Sequence, residues 1–350
     1  MTLPDTISGL LGIDGVVGTV IGAFLGAALI GTIMLANAAL AGPWAKRKIT
    51  AAFTDRIAIN KLGPLGLGHI LPDAVRLLSK ELIVPEGVDR PAWDIAPIIM
   101  VFSALLGFAV IPMGSGIHLA DPSVGLIFAF AVASIASVSL VMAGYSSNNK
   151  YSFLGGLRAV AQNLAYEIPL ILTGLSVVLF AGSLQMSEIV AAQQETLALG
   201  PIGIPAWFGL VNPFAFVLFL VANVAEVGRN PFDIPEAPTE IVAGFQTEYS
   251  SVYFVLLYLG EFVHIFLGGA LIATIFLGGP AAPIAALSVV PGFIWFLIKI
   301  WGVFLFTQWL RSALPRVRID QLIEIGWKGM LVLSIANLFL TAVIVGVLPS

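Results

Sequence analysis

The sequence AEVGRNPFDIPEAPTEIVAGFQTEYSS occupies residues 225–251 and separates two apolar runs, at about 209–227 and 249–279. It holds five of the chain's twenty acidic residues, namely Glu226, Asp233, Glu236, Glu240 and Glu248. A carboxylate is costly to bury in lipid unless it is paired. The cluster is therefore either a solvated surface loop or a loop at the membrane surface that handles protons or a ligand.

The composition is that of a polytopic membrane protein. Of the 350 residues, 59% are hydrophobic and 10% are charged, and the mean hydropathy is +1.01. The chain has no cysteine, which excludes disulfides and cysteine-ligated iron–sulfur clusters within it. It has neither a glycine-rich phosphate loop nor the residue spacing of a metal site. Electron chemistry must therefore take place in another chain or on a diffusible ligand.

Apolar segments long enough to cross a bilayer predict an all-α membrane protein with eight transmembrane helices in a single membrane domain. They lie at about 17–45, 92–113, 122–144, 157–181, 209–227, 249–279, 289–310 and 326–348. Apart from Lys299, lysine and arginine lie between or beside helices 1 and 2 and around the alternate loops that follow, and the opposite-side loops near 114–121, 182–208 and 280–288 carry none. The positive-inside rule places both termini outside the plasma (cytoplasmic) membrane and the acidic loop, 226–250, in the cytoplasm.

Between the first two spans, Leu71, Ala74, Val75, Leu78 and Leu82 recur at helical spacing. This pattern predicts an interfacial amphipathic helix at about 68–84. The helix either caps the bundle or forms one wall of a cavity that opens to the lipid.

Three predicted spans carry ionisable side chains. Glu167 precedes Pro169, which removes a helical hydrogen bond and opens the backbone. Glu261 and His264 share one helix face, where they could pass protons or simply pack. Lys299 either pairs with a carboxylate or extends towards water. An ionisable residue inside a membrane is a functional candidate.

Three long segments resemble one known family. GYSSNNKYSFLGGLRAVAQNLAYEIPL (144–170), the acidic stretch 225–251 and RSALPRVRIDQLIEIGWKGMLVLSIANLFLTA (311–342) are similar to the NADH dehydrogenase subunit 1 family. Its members are the membrane subunit, also designated H, of the proton-translocating NADH:quinone oxidoreductase, respiratory complex I. The segment AGPWAKRKITAAF (41–53) resembles versions from halophilic archaea.

The resemblance implies a subunit that is not catalytic alone, with quinone as substrate and no covalently bound cofactor. Iron–sulfur clusters and the donor site would lie in partner subunits. The implied partners are the peripheral quinone-site subunits, small membrane subunits and antiporter-like subunits, together with the bilayer; nucleic acid is not among them. Proton transfer and coupling are expected from Glu167, Glu226, Asp233, Glu236, Glu240, Glu248 and Glu261. The quinone chamber is expected to involve Arg56, Asn60, Asp73, Lys80, Arg229 and Phe232.

The chain departs from the family pattern near both sites. Lys46 and Pro238 stand where the family usually has acidic residues, and Gln246 stands where it has histidine. One carboxylate near the quinone entry and one in the acidic loop are therefore missing from the family's usual line. Two alternatives stay open: the homologous subunit of an energy-converting hydrogenase or ferredoxin-linked complex, and a stand-alone secondary transporter. A transporter should show an internal repeat, and no convincing repeat is present.

Overall fold

The described chain is a bundle of long helices. The computed structural model describes residues 2–13, 15–114, 116–194, 196–197, 204–237, 240–283 and 287–347. The helices are α1 (Leu3–Leu11), α2 (Val16–Ala36), α3 (Gly42–Phe53), α4 (Ile70–Leu78), α5 (Arg90–Gly107), α6 (Gly125–Ser146), α7 (Lys150–Ala181), α8 (Met186–Ala192), α9 (Phe208–Val211), α10 (Pro213–Glu226), α11 (Ser251–Phe276), α12 (Gly292–Ala313), α13 (Ile319–Glu324) and α14 (Leu331–Val347). Two-residue strands, β1 (Thr196–Leu197) and β2 (Ile204–Pro205), pair antiparallel.

The prediction of an all-α polytopic membrane protein is confirmed. Among the described residues, seven helices are long and apolar enough to cross a membrane. They cover Val16–Phe53, Arg90–Val110, Gly125–Ser146, Lys150–Ala181, Ser251–Phe276, Gly292–Ala313 and Ile319–Val347. The predicted fifth span corresponds to α10, which has only 14 residues and is therefore about 21 Å long. Because a hydrocarbon core is about 30 Å thick, the count of eight is not confirmed.

Helix α11 lies at the centre of the bundle, in contact with α4, α5, α10 and α12. Every residue from Gly260 to Phe276 is buried, as expected for a helix that is apolar on all sides. A Cβ atom at Gly268 would lie 2.4 Å from the amide nitrogen of Asn223. Glycine thus lets α10 approach α11 closely and places the Asn223 amide inside the bundle.

The described part of the acidic loop, residues 227–237 and 240–250 after the end of α10, closes one end of the bundle, which we call the loop end. A Cβ atom at Gly155 on α7 would lie 2.6 Å from the backbone nitrogen of Phe245. Gly244 has a φ of +57°, and a Cβ atom there would lie 1.8 Å from the carbonyl oxygen of Pro235. Both glycines therefore allow the loop to fold tightly on itself and against α7.

The segment between α3 and α5 lies along the side of the loop end. Leu71, Val75 and Leu78 on α4 are more than half exposed, which gives this helix an unpaired apolar face. Trp44 on α3 donates its indole N–H to the carbonyl of Leu65, at 3.1 Å. Ser251 donates its hydroxyl to the carbonyl of Lys80, at 2.8 Å. These two bonds tie the segment to the first spanning helix and to the start of α11.

A second apolar cluster fixes the loop end of α5 to the start of α11. The rings of Trp93 and Tyr249 are stacked with centroids 4.6 Å apart, and the Tyr249 hydroxyl donates to the Trp93 carbonyl at 3.2 Å. Tyr253 packs edge-on against Trp93 with centroids 4.8 Å apart. Aromatic pairs at such separations are favourable beyond the area that they bury.

Candidate functional site

Two cavities lie near the loop end. The first, which we call the acidic cavity, lies between α5, α6, α7, α10, α11 and the acidic loop. Its ionisable lining residues are Glu226, Glu236, Glu261 and His264. The remaining lining is largely apolar, with the amides of Asn163 and Asn223 as further polar groups. Ionisable groups that converge in an apolar pocket are typical of a functional site.

A buried ion pair joins the acidic loop to α11. The Arg229 guanidinium lies 3.1 Å from a carboxylate oxygen of Glu261, and these residues are only 4% and 7% exposed. The Gln246 amide donates to the other Glu261 oxygen at 2.7 Å. Burial lowers the pKa of the Arg229 guanidinium, but Glu261 and Glu236 raise it by more, so that the net direction is upwards.

Two loop carboxyls, Asp233 and Glu236, neighbour this pair, and their pKa values are shifted in opposite directions. Burial raises the pKa of Asp233 and Glu236 raises it further, against the opposing effect of Arg316; the Arg316 guanidinium lies 3.4 Å from Asp233. Burial also raises the pKa of Glu236, but Arg229 and a hydrogen bond with Glu261 outweigh it, and the net direction is downwards. Burial thus dominates at Asp233, whereas the neighbouring cation dominates at Glu236.

Glu167 occupies a smaller pocket beside the acidic cavity. Phe130 lines both this pocket and the acidic cavity. The Ser134 hydroxyl donates to the Glu167 carboxylate. Glu226, at the end of α10, is close enough for the Glu167 charge to act on it. The structure thus brings Glu167, Glu226, Glu236 and Glu261 into one neighbourhood.

The remaining predicted coupling residues lie outside both spaces. Glu240 is exposed and pairs with Arg158 on α7 at 2.6 Å. Glu248 accepts a hydrogen bond from the Asn149 amide at 2.5 Å. Both contacts fasten the loop to the α6–α7 corner. Pro238, noted as a departure from the family pattern, lies outside the described residues.

The second space, which we call the lateral cavity, lies between the first spanning helix (Val16–Phe53), α4 and α11. Its lining is mainly apolar, with Arg47, His69, Asp73 and Tyr258 as polar members. Asp73 accepts a hydrogen bond from Arg47 and also faces Arg76 at 3.5 Å. Burial raises the pKa of Asp73, but Arg47, His69 and Arg76 outweigh it, and the net direction is downwards.

Of the six predicted chamber residues, Asp73 lines this lateral cavity. Arg56, Asn60 and Lys80 are not among the residues that line it, and Arg56 and Lys80 are exposed. Arg229 and Phe232 are buried in the acidic loop; the Phe232 ring packs against Tyr166 with centroids 5.6 Å apart.

A thin charged partition, formed by Lys46, Arg229, Tyr258 and Phe262, separates the two cavities. Tyr258 and Phe262 line the lateral cavity, whereas Glu261, the residue before Phe262, lines the acidic cavity. Two cations lie close to the Phe262 ring, with the Arg229 guanidinium carbon 4.9 Å and the Lys46 ammonium 5.6 Å from its centroid.

Only part of this partition could be predicted from the sequence. Tyr258, Glu261 and Phe262 have the spacing of neighbours on one helix. Nothing in the spacing shows that Lys46, far away along the chain, would face them.

Comparison with known proteins agrees with this architecture. A family model described as NADH dehydrogenase matches residues 26–342. The chain is 43% identical over 304 residues to the H subunit of the NADH-quinone oxidoreductase of Geobacillus kaustophilus, covering 87% of this chain and 88% of that protein. It is 42% identical, over the same shares, to the proteins of the same name in Bacillus cereus and Bacillus thuringiensis.

Proposed function

The chain belongs to the NADH dehydrogenase family, and on that premise we propose that it couples quinone reduction to proton translocation as the membrane subunit of an oxidoreductase complex. The observation that carries the proposal is the partition. It sets an apolar space beside a space lined by carboxyls, with a buried ion pair between them. A substrate from the bilayer and a proton-handling site would then be one side chain apart.

The lateral cavity has the properties that a quinone needs. A quinone is a neutral ring with carbonyl acceptors and an apolar tail, and it reaches a protein from the lipid. The cavity lies beside α4, whose exposed apolar face suits the membrane interface. Its lining is mainly apolar with a few polar groups, as in most sites for small apolar ligands.

The acidic cavity has the properties that proton coupling needs. Reduction of a quinone to a quinol takes up two electrons and two protons, so negative charge precedes or accompanies proton uptake. Glu236 and Asp233 differ in the direction of their pKa shifts, and neighbouring carboxyls with different proton affinities can exchange a proton. Glu261, Glu226 and Glu167 would extend the path away from the partition.

The rest of the machinery would lie in other chains. Since this chain has no cysteine, its electrons would arrive from iron–sulfur clusters in peripheral subunits. Antiporter-like and small membrane subunits would receive the coupling signal. The distribution of lysine and arginine favours a loop end on the cytoplasmic side of the plasma membrane and both termini outside.

Blocking the lateral cavity tests the substrate route. Ala74 lines this cavity, whereas Val75, the next residue on α4, is 66% exposed. In the purified native complex, Ala74→Trp should abolish inhibitor-sensitive reduction of a short-chain quinone, while electron transfer from the donor to a water-soluble artificial acceptor continues. Val75→Trp is the matched control and should retain both activities. Full quinone reduction by Ala74→Trp would refute the route.

Neutralising one carboxyl tests the coupling. In proteoliposomes, Glu236→Gln should lower the pH gradient formed per quinone reduced, because an amide cannot take up a proton. Glu86, an exposed residue before α5, provides the control Glu86→Gln, which should leave this ratio unchanged. An unaltered ratio in Glu236→Gln would remove this carboxyl from the proton path.

A further inference from the structure

Lys46 and Tyr258 form a contact across the partition. The Lys46 ammonium nitrogen lies 3.3 Å from the Tyr258 hydroxyl oxygen and 5.3 Å from the centroid of the Tyr258 ring. Lys46 belongs to α3 and Tyr258 to α11, so the contact links the first spanning helix to the central one. Neither residue was among the predicted site residues.

The direction of this hydrogen bond follows from the chemistry of the two groups. An ammonium has three donors and no acceptor, so Lys46 donates and the Tyr258 oxygen accepts. Within the described residues, the Tyr258 hydroxyl makes no other hydrogen bond, which leaves its own hydrogen available to a third group. A hydroxyl that accepts from a cation becomes a stronger donor, because hydrogen bonds in a chain polarise one another.

The surroundings explain why Lys46 contacts a phenol. Glu261, the nearest buried carboxylate on α11, is held by Arg229 and Gln246. Arg229 and Arg311 lie close enough to repel the ammonium. The Tyr258 and Phe262 rings, in turn, offer it two π faces. In the part of the chain that the structure describes, Lys46 has no carboxylate within ion-pair distance.

From this geometry we propose that Tyr258 and Lys46 form a subsite for the quinone head group in the lateral cavity. Tyr258 donates its hydroxyl hydrogen to a quinone carbonyl, and Lys46 is a positioning residue that orients and polarises the phenol. Val255, Leu259 and Phe262 line the same cavity and provide apolar contacts for the ring. The subsite rests on the proposed function, because it needs a quinone in this cavity.

The test is steady-state kinetics of the native complex with a short-chain quinone. Tyr258→Phe keeps the ring and removes the donor; it should raise the KM for quinone about three- to tenfold with little change in kcat, the effect of one lost hydrogen bond. Tyr253→Phe is the matched control: Tyr253 is on the same helix but packs against Trp93, and its KM should stay at the native value.

Lys46 is tested through its dependence on Tyr258. Lys46→Met should raise the KM in the same direction, and Lys46→Arg, which retains a cationic donor, should restore most of the affinity. In the Tyr258→Phe background, Lys46→Met should add nothing further to the KM, since residues that act through one contact are not additive. If Lys46→Met prevents assembly, Tyr258→Phe and Lys46→Arg decide the question.

The failures are distinguishable. A native KM in Tyr258→Phe, together with an inactive Ala74→Trp, would overturn the subsite and leave the lateral cavity as the quinone route. An active Ala74→Trp would overturn the proposed function itself. Additive effects of Lys46→Met and Tyr258→Phe would show that Lys46 does not act through Tyr258.

Discussion

Replacement of Arg229 by methionine should loosen the central helix where it meets the acidic loop. Arg229 and Glu261 are 4% and 7% exposed, and their charged groups lie 3.1 Å apart. Methionine keeps much of the apolar side chain but leaves the Glu261 carboxylate buried without its cation. Removing one partner of a buried ion pair costs about 3–5 kcal/mol, which corresponds to at least about a hundredfold in a local opening equilibrium.

Hydrogen–deuterium exchange of the purified complex, followed by mass spectrometry, measures this change directly. Peptides covering residues 244–262 should lose about a hundredfold or more of their protection in Arg229→Met, because exchange reports local opening. The double variant Arg229→Met/Glu261→Gln should recover part of the loss, since a neutral amide is cheaper to bury than an unpaired carboxylate.

A second ion pair provides the control. Lys328 lies 2.8 Å from Glu324, closer than the buried pair, but these side chains are 78% and 62% exposed. Exposed pairs contribute little, so Lys328→Met should leave the protection of its own segment unchanged. Native protection of residues 244–262 in Arg229→Met, or no recovery in the double variant, would refute the reasoning.

Two further predictions concern the acidic loop. Gly155→Ala should displace the loop from α7 and lower stability by about 1–3 kcal/mol, because its Cβ would lie 2.6 Å from the Phe245 nitrogen; thermal unfolding of the complex measures it. Gly302→Ala, inside α12 with nothing within 4 Å of its Cβ, should unfold at or slightly above the native temperature, because alanine is favoured over glycine inside a helix. Equal midpoints for the two variants would contradict the packing argument. The pKa of Asp233 is raised by burial and by Glu236, so the folded chain holds this proton to higher pH than the unfolded chain, and the contribution of Asp233 to stability falls as pH rises above the usual carboxyl range near 4. Asp233→Asn should therefore flatten the fall in the unfolding midpoint as the pH is raised from about 4, and an unchanged slope would contradict the shift.

The sequence predicted the helical membrane architecture because that depends on composition over long windows. A segment such as 249–279 is apolar enough to be recognised without knowledge of its neighbours. Its central position was not predictable, because a helix in lipid and a helix inside a bundle can have the same apolar sequence. The structure distinguishes them: α11 is buried over its whole second half, whereas α14 keeps an exposed apolar face.

The partners of the ionisable residues were the part that sequence reasoning could not supply. Local spacing associated Glu261 with His264, but Glu261 bonds Arg229 and Gln246, and His264 lies 3.3 Å from the Ser103 hydroxyl. Lys299 donates to three backbone carbonyls just beyond α11, at 2.6–2.8 Å, rather than to a carboxylate. Each of these contacts joins segments that the fold alone brings together.

The short distances across the partition allow the electrostatic energy of the proposed coupling to be estimated. The Arg229 guanidinium carbon lies 4.9 Å from the Phe262 centroid, and Phe262 lines the lateral cavity. For a negative charge on a quinone in that cavity, a separation from Arg229 of about 5–10 Å and an effective dielectric constant of about 20 give an interaction of about 2–3 kcal/mol.

The charge on the quinone would weaken, by up to this energy, the stabilisation that Arg229 gives to the carboxylates of Glu261 and Glu236. This energy corresponds to a change of about one to two units in the pKa of a carboxyl. A charge of this size would be enough to transfer a proton between carboxyls whose affinities already differ. The coupling would then need no large motion at the partition. The Arg229 charge would be shared between the quinone and the carboxylates of Glu261 and Glu236, instead of acting on the carboxylates alone.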